Sequence, residues 1–194
     1  MIAIINYGKD NLEGITAGLS ELNQEFCVSS SESEICHADK IIFPGSDELK
    51  KVIKNIHLMN LFSMMRMIKK PVLAIDSGMQ LLCEYFKAEN LTCLGLYPAD
   101  VYRFEEAGAE VPFKGMHEVE FVKEGVLGRG LRKKEEFVFQ NSLFIPEMEE
   151  TTAISRNGKV FSSVIEKDHF YGVQFHPEQS GEAGLQILRN FTGL

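Results

Sequence analysis

The chain has 194 residues, 44% hydrophobic and 25% charged, which suits one domain with a sizeable core. Its formal net charge of -8 argues against a nucleic-acid face: phosphate binding needs clustered Lys and Arg, and the short basic run from Arg129 to Lys134 is followed at once by Glu135 and Glu136. No stretch approaches the roughly 20 apolar residues that span a membrane, and the apolar start, Met1 to Ile5, is shorter than the roughly 7 to 15 residues of a signal core.

The four cysteines, Cys27, Cys36, Cys83 and Cys93, form no C-x-x-C pair and have no histidine at ligand spacing. Reduced, packed thiols in a cytoplasmic protein are the expectation, with no metal and no cofactor.

In chain order, Ile2 to Ile5 reads as a buried strand. Asn11 then stands where it can cap a helix whose Leu12, Ile15, Leu19 and Leu22 recur at helical spacing. A weaker strand at Phe26 to Ser29 precedes a clear one at Lys40 to Phe43. After Pro44-Gly45 come a helix carrying Leu49, Val52, Ile53 and Ile56, a Met-rich helical stretch from Leu58 to Ile68, and the strand Val72 to Ile75. Strands alternating with helices predict parallel βαβ units, and continuous apolar strands predict a sheet covered on both faces.

The second half changes character. Ala99 to Phe104, Met116 to Val122, Glu136 to Phe139, Thr151 to Ser155, Val160 to Glu166 and Phe170 to Phe175 read as strands with little helix between them, an antiparallel extension of the same sheet. A last helix, about Gly181 to Phe191, puts Leu185, Leu188 and Phe191 on an inner face. The expected fold is therefore α/β: three layers, an open mostly parallel sheet with helices on both faces, and an antiparallel extension in the C-terminal half.

Two segments carry the chemistry. In Pro71-Val72-Leu73-Ala74-Ile75-Asp76-Ser77-Gly78-Met79-Gln80-Leu81-Leu82, a strand breaks into a helix at Asp76, which would lift that side chain to the carboxyl edge of the sheet, where open α/β proteins bind ligands. A plain helix cap by Asp76 or Ser77 is the alternative. In Gly172-Val173-Gln174-Phe175-His176-Pro177-Glu178, Pro177 biases His176 toward an extended conformation, so Glu178 falls on the same side and can orient the imidazole. On a helix running past Asp76, Gln80 and Glu84 share its face at i+4 and i+8.

Both segments resemble the class I, triad-type glutamine amidotransferases, most closely the glutaminase subunits of imidazole glycerol phosphate synthase, whose first segment reads P-V-L-G-I-C-L-G-M-Q-L-L. The resemblance runs from the first strand to the last helix. It implies a triad of Asp76 (at the nucleophile's position), His176 and Glu178. It also implies a glutamine site at Gln80, Glu84, Gly45, Ser46 and Ser77, and a loop, Asn6 to Leu12, that faces a (β/α)-barrel synthase partner through Tyr7, Gly8 and Asn11.

Three departures stand out. Asp76 replaces the family's cysteine. Pro44-Gly45-Ser46-Asp47-Glu48-Leu49 replaces P-G-V-G-A-F, the loop that supplies oxyanion-hole N–H groups, and brings two acidic side chains to that spot. Pro112 to His117 stands where the family resembles P-H-M-G-W-N, and Phe139 to Leu143 where it resembles V-H-S-Y. Together these losses predict a subunit that binds a synthase partner without hydrolysing glutamine, in histidine biosynthesis or a related amidotransfer. Two other readings stay open: a hydrolase in which Asp76 attacks an ester, epoxide or haloalkane, and a residual glutaminase. A metal held by Asp76, His176, Glu178 and His117 is the remaining alternative.

Overall fold

A computed structural model describes residues 1–8, 12–46, 49–109 and 111–194. The expected features at Asn11, Asp47 and Glu48 lie outside the described residues. The strands are β1 (Ile2–Ile5), β2 (Phe26–Ser29), β3 (Lys40–Phe43), β4 (Val72–Ile75), β5 (Tyr85–Phe86), β6 (Leu91–Thr92), β7 (Asp100–Arg103), β8 (Phe113–Phe121), β9 (Lys134–Asn141), β10 (Leu143–Phe144), β11 (Thr151–Asn157), β12 (Lys159–Lys167) and β13 (Phe170–Val173). The α-helices are α1 (Glu13–Glu21), α2 (Glu32–His37), α3 (Leu49–Leu58), α4 (Leu61–Met67), α5 (Ser77–Leu81) and α6 (Gly181–Thr192).

A nine-stranded sheet has the order β2-β1-β3-β4-β13-β12-β11-β8-β9. Its first five strands are mutually parallel and the remaining pairings antiparallel, the division expected from the change of pattern along the chain. The inner parallel strands β1 and β4 are apolar and buried at every position because both faces are covered. Ala3, Ile5, Val72 and Ala74 join a core with Val52, Ile56 and Met65 from α3 and α4. Ile2, Ile4, Leu73 and Ile75 join the opposite core with Ile15 and Leu19 of α1 and Ile187, Leu188 and Phe191 of α6.

Several elements differ from expectation. The strand at Asp100–Arg103 does not extend the main sheet: β7 belongs to a separate four-stranded sheet, β10-β7-β5-β6, whose other strands are two-residue pieces too short to leave a periodic signal. Helix α2 was not anticipated; with only Ile35 buried it carries no apolar stripe. The helix after Asp76 stops at Leu81, so the i+8 alignment of Glu84 does not exist. Glu84 is exposed, and its backbone is engaged with Ala99 and Cys93 beside the small sheet.

Candidate functional site

The site forms where β4 and β13 end. Their parallel register pairs Ile75 with Val173, so Asp76 and the segment leading to His176 leave the same carboxyl edge, and the Asp76 N–H donates to the Val173 carbonyl at 2.7 Å. Asp76 takes φ 53°, ψ -122°, a conformation costly for a residue with a Cβ. It starts α5 through its carbonyl, which accepts from Met79 N–H at 3.0 Å, while its side chain makes no capping bond. The carboxylate instead accepts a hydrogen bond from Asn141 Nδ2 at the end of β9.

Two glycines make this bend possible. A Cβ on Gly78 would lie 2.4 Å from the Phe43 carbonyl oxygen, and one on Gly45 would lie 2.7 Å from Asp76 Oδ2 and 2.8 Å from the Ile75 carbonyl oxygen. The loop after β3 therefore seats directly on the bend, backbone against backbone.

Within that loop, the Ser77 hydroxyl accepts from the Ser46 N–H at 2.5 Å and donates to the Ser46 carbonyl at 2.6 Å. The resemblance assigns N–H groups of this loop to an oxyanion hole, and here the Ser46 donor is already occupied. Tyr7 braces the loop from behind: its hydroxyl donates to the Pro44 carbonyl at 2.5 Å and its ring packs edge-on to Phe43 at 5.8 Å. Tyr7 is 4% exposed, so the loop expected to meet a partner presents Gly8, which is exposed, more than Tyr7.

His176 Nδ1 lies 2.9 Å from Glu178 Oε1, with both side chains largely buried. Their placement depends on α1. A Cβ on Gly14 would lie 2.7 Å from Glu178 Cγ, so this glycine lets the carboxylate tuck beneath the helix. The His176 N–H donates to the Val138 carbonyl at 2.8 Å, and the Ser180 hydroxyl joins Val138 N–H to the His176 carbonyl. Strand β9 thus touches both halves of the site, His176 through Val138 and Asp76 through Asn141. Stacking of Phe137 on Phe175 at 3.9 Å secures that junction.

A cleft of about 310 Å³ opens here, lined by Ser46, Asp76, Ser77 and Gln80 on one side and by Lys114, Gln140, Asn141 and Leu143 on the other. Of the residues anticipated at a ligand site, Ser46, Ser77 and Gln80 reach it with Asp76, Gly45 supports the bend, and Glu84 is absent from its lining. Asn141 and Lys114 were missed. Both lie in the blocks marked only by lost family residues, and no positive pattern announced them. A larger cavity of about 790 Å³ near Gly125 and Arg129 holds none of the anticipated residues; there the Glu166 carboxylate accepts from the N–H groups of Val126 and Leu127.

Among the described residues no group of three or more His, Cys, Asp and Glu is placed to hold a metal ion, and His117 stacks on Phe113 at 3.8 Å with Nε2 at 3.0 Å from the Lys114 carbonyl. A carboxylate at the bend is also a poor nucleophile toward an amide: the tetrahedral adduct would expel the carboxylate before ammonia.

The family described as "Glutamine amidotransferase class-I" matches residues 3–193. The imidazole glycerol phosphate synthase subunit HisH of Bacteroides fragilis is 34% identical over 195 residues, 100% of this chain and 99% of that protein. The protein of the same name from Haemophilus influenzae is 34% identical over 191 residues, 98% and 96% of the two chains. Among solved structures, a glutamine amidotransferase superposes with a TM-score of 0.78 at 16% identity, covering 100% and 98%. A glutamine amidotransferase from Thermotoga maritima superposes with a TM-score of 0.64 at 16% identity, covering 99% and 82%.

Proposed function

Because this chain belongs to the class I glutamine amidotransferases, we propose that it is a member that does not hydrolyse glutamine and that serves as a binding or regulatory subunit of a (β/α)-barrel synthase. The observation that carries the proposal is the joint change at the bend. A carboxylate, Asp76, stands at the nucleophile's position, and the adjacent Ser77 hydroxyl takes the Ser46 N–H that an oxyanion would need. Either change alone impairs acyl transfer, and together they remove both covalent attack and stabilisation of the developing charge. His176 and Glu178 remain as an oriented pair, 2.9 Å apart, at the same carboxyl edge of the sheet as Asp76.

The synthase partner is supported by the relatives, which are named as subunits of imidazole glycerol phosphate synthase. It is also supported by the surface around Gly8, where a groove bordered by Asn6, Asn55 and Met59 carries Leu58, 72% exposed. The pathway proposed is histidine biosynthesis or a related amidotransfer, in the cytoplasm, with glutamine as a ligand that is bound but not turned over.

The experiment is a coupled ammonium assay with glutamine on the purified chain, alone and with the barrel synthase subunit encoded in the same genome, together with co-elution of the two. The expected result is a stable complex and no ammonium above the buffer blank in either case. Release at the rate of working relatives would overturn the proposal.

A second reading is favoured by the bend itself, since φ 53° and ψ -122° at Asp76 is the strained geometry of a displayed nucleophile. In that reading Asp76 attacks an ester, epoxide or haloalkane and His176 activates water. Single turnover in heavy-oxygen water would then label the Asp76 carboxylate.

A further inference from the structure

The cavity of about 790 Å³ lies at the opposite edge of the sheet from Asp76. Its Glu166 pairs with Tyr171 near the start of β13, the end at which Phe170 meets Val72 at the start of β4, whereas Asp76 follows the end of β4. One wall is the connection between β8 and β9, and that connection is pinned from behind. The Glu166 carboxylate accepts from the N–H groups of Val126 at 2.7 Å and Leu127 at 3.1 Å and from the Thr152 hydroxyl at 3.4 Å. A Cβ on Gly125 would overlap that carboxylate, and one on Gly128 would lie 2.7 Å from the Phe121 ring, so both glycines let the chain close on the sheet. From α6, Asn190 Nδ2 donates to the carbonyls of Leu127 and Arg129, each at 2.7 Å. The backbone that carries Arg129 is therefore fixed, and Glu166 already serves three donors.

This arrangement leaves positive charge without a carboxylate. Arg103, Arg132, Arg156 and Arg189 each pair with a glutamate. The exposed Arg129 guanidinium has no hydrogen-bond or ion-pair partner among the described residues, and it lines the cavity. Beside it, Lys123 Nζ donates to the neutral Glu149 carbonyl at 2.5 Å, and Lys133 meets only Glu120, at 3.7 Å, a carboxylate shared with Arg156. The opposing charge in the lining, apart from the engaged Glu166, is the exposed Glu124. In a chain of net charge -8, three cations meeting in one cavity set this edge apart from the rest of the surface.

We propose that this cavity binds the phosphate group of a small phosphorylated metabolite, with Arg129 as a two-pronged donor and Lys123 and Lys133 as point charges. The chemistry selects this class. A carboxylate needs one cation, whereas a phosphate monoester carries nearly two negative charges and three acceptor oxygens at pH 7, which suits a guanidinium fork flanked by two ammonium groups. Phe121, Val122 and Val126 give the same cavity an apolar wall for the rest of the molecule, and its volume falls within the roughly 300 to 1,000 Å³ usual for small-ligand sites. A nucleic acid does not suit it, since the net negative chain repels a long polyanion beyond these three cations. Nothing in this site depends on what Asp76 does.

The test is an NMR titration of the full chain in a phosphate-free buffer, following the assigned backbone amides of Val126 and Leu127 and the side-chain Nε–H of Arg129. The probes are inorganic phosphate and phenyl phosphate, with acetate and benzoate as controls at equal ionic strength. Saturable shifts with the two phosphates and not with the carboxylates are expected, and phenyl phosphate should bind several-fold tighter than phosphate because its ring meets the apolar wall. Arg129→Gln should weaken binding by about tenfold, the size of one hydrogen bond to a charged group. Glu124→Gln should tighten it several-fold by removing the opposing charge. Both positions are exposed, so neither change threatens the fold. Lys159→Gln, also exposed and at the β11–β12 turn, the far end of β12 from Glu166, removes one charge elsewhere and should leave the affinity unchanged. Shifts that do not saturate, an equal response to acetate or benzoate, no tightening in Glu124→Gln, or a loss in Arg129→Gln no larger than in Lys159→Gln would overturn the proposal.

Discussion

The Ser77 hydroxyl holds both main-chain groups of Ser46, accepting from its N–H at 2.5 Å and donating to its carbonyl at 2.6 Å. The two residues lie 31 positions apart, at the ends of neighbouring strands β3 and β4, and Ser77 directly follows the residue at the nucleophile's position. In the related pattern a leucine stands there, with no hydroxyl to engage the loop.

This contact orders the recovery of activity. Asp76→Cys alone should release no ammonium from glutamine, because the Ser46 donor stays engaged. Asp76→Cys with Ser77→Ala frees that N–H, and release should rise about a hundredfold over the single variant, the scale of one oxyanion-hole donor. The coupled ammonium assay, run with the synthase partner present, makes the comparison. Equal rates in the single and double variants would remove Ser77 from the account.

The seating of the loop on the bend gives a stability prediction. Gly78→Ala places a Cβ 2.4 Å from the Phe43 carbonyl oxygen and 3.2 Å from that of Pro44, both backbone atoms, and should cost about 3 kcal/mol. Gly95→Ala is the control. Its φ of +67° disfavours a side chain, but nothing lies within 4 Å, so the backbone strain alone should cost only about 1 kcal/mol. Urea unfolding of the two variants measures the difference, and similar midpoints would show that the bend is not backbone-packed.

Alkaline pH should destabilise the fold. Burial pushes the Cys93 thiol up to about 11 from an ordinary 9.0, raises that of buried Cys83 well above 9.0, and raises the phenols of Tyr97 and Tyr171 above 10.0. These groups keep their protons in the folded chain and lose them in the unfolded one. The unfolded state therefore binds fewer protons above pH 9, and stability falls as pH rises from about 9 to 11, by at most about 1.4 kcal/mol per pH unit for each group. Thermal melts from pH 7 to 11 follow this loss. At pH 8 a disulfide thiol reagent should modify exposed Cys36 first and reach Cys83 and Cys93 only on unfolding.

Much of the frame was legible in the residues. Lys40 to Phe43 and Val72 to Ile75 read as strands because the apolar runs they hold, Ile41 to Phe43 and Val72 to Ile75, suit positions buried on both faces. The bend at Asp76 and the His176, Pro177, Glu178 run were visible because each is a local pattern in which neighbours in sequence are neighbours in space. Glu84 was misplaced for the same reason in reverse: the spacing assumed a helix that continues, and α5 ends at Leu81, after which the chain turns into the small sheet.

By itself the sequence determined which residue types stand at the carboxyl edge of the parallel strands, above all that position 76 carries an oxygen acid, since alternation of apolar runs and helices sets the order of elements. Only the tertiary structure decided what those residues touch. Asn141 reaches Asp76 across 65 positions, Gly14 opens space for Glu178, and Ser77 reaches across to Ser46. Such contacts depend on β9 crossing both ends of the site and on backbones approaching within a missing Cβ. Those distances arise from packing the whole chain, and no local periodicity encodes them.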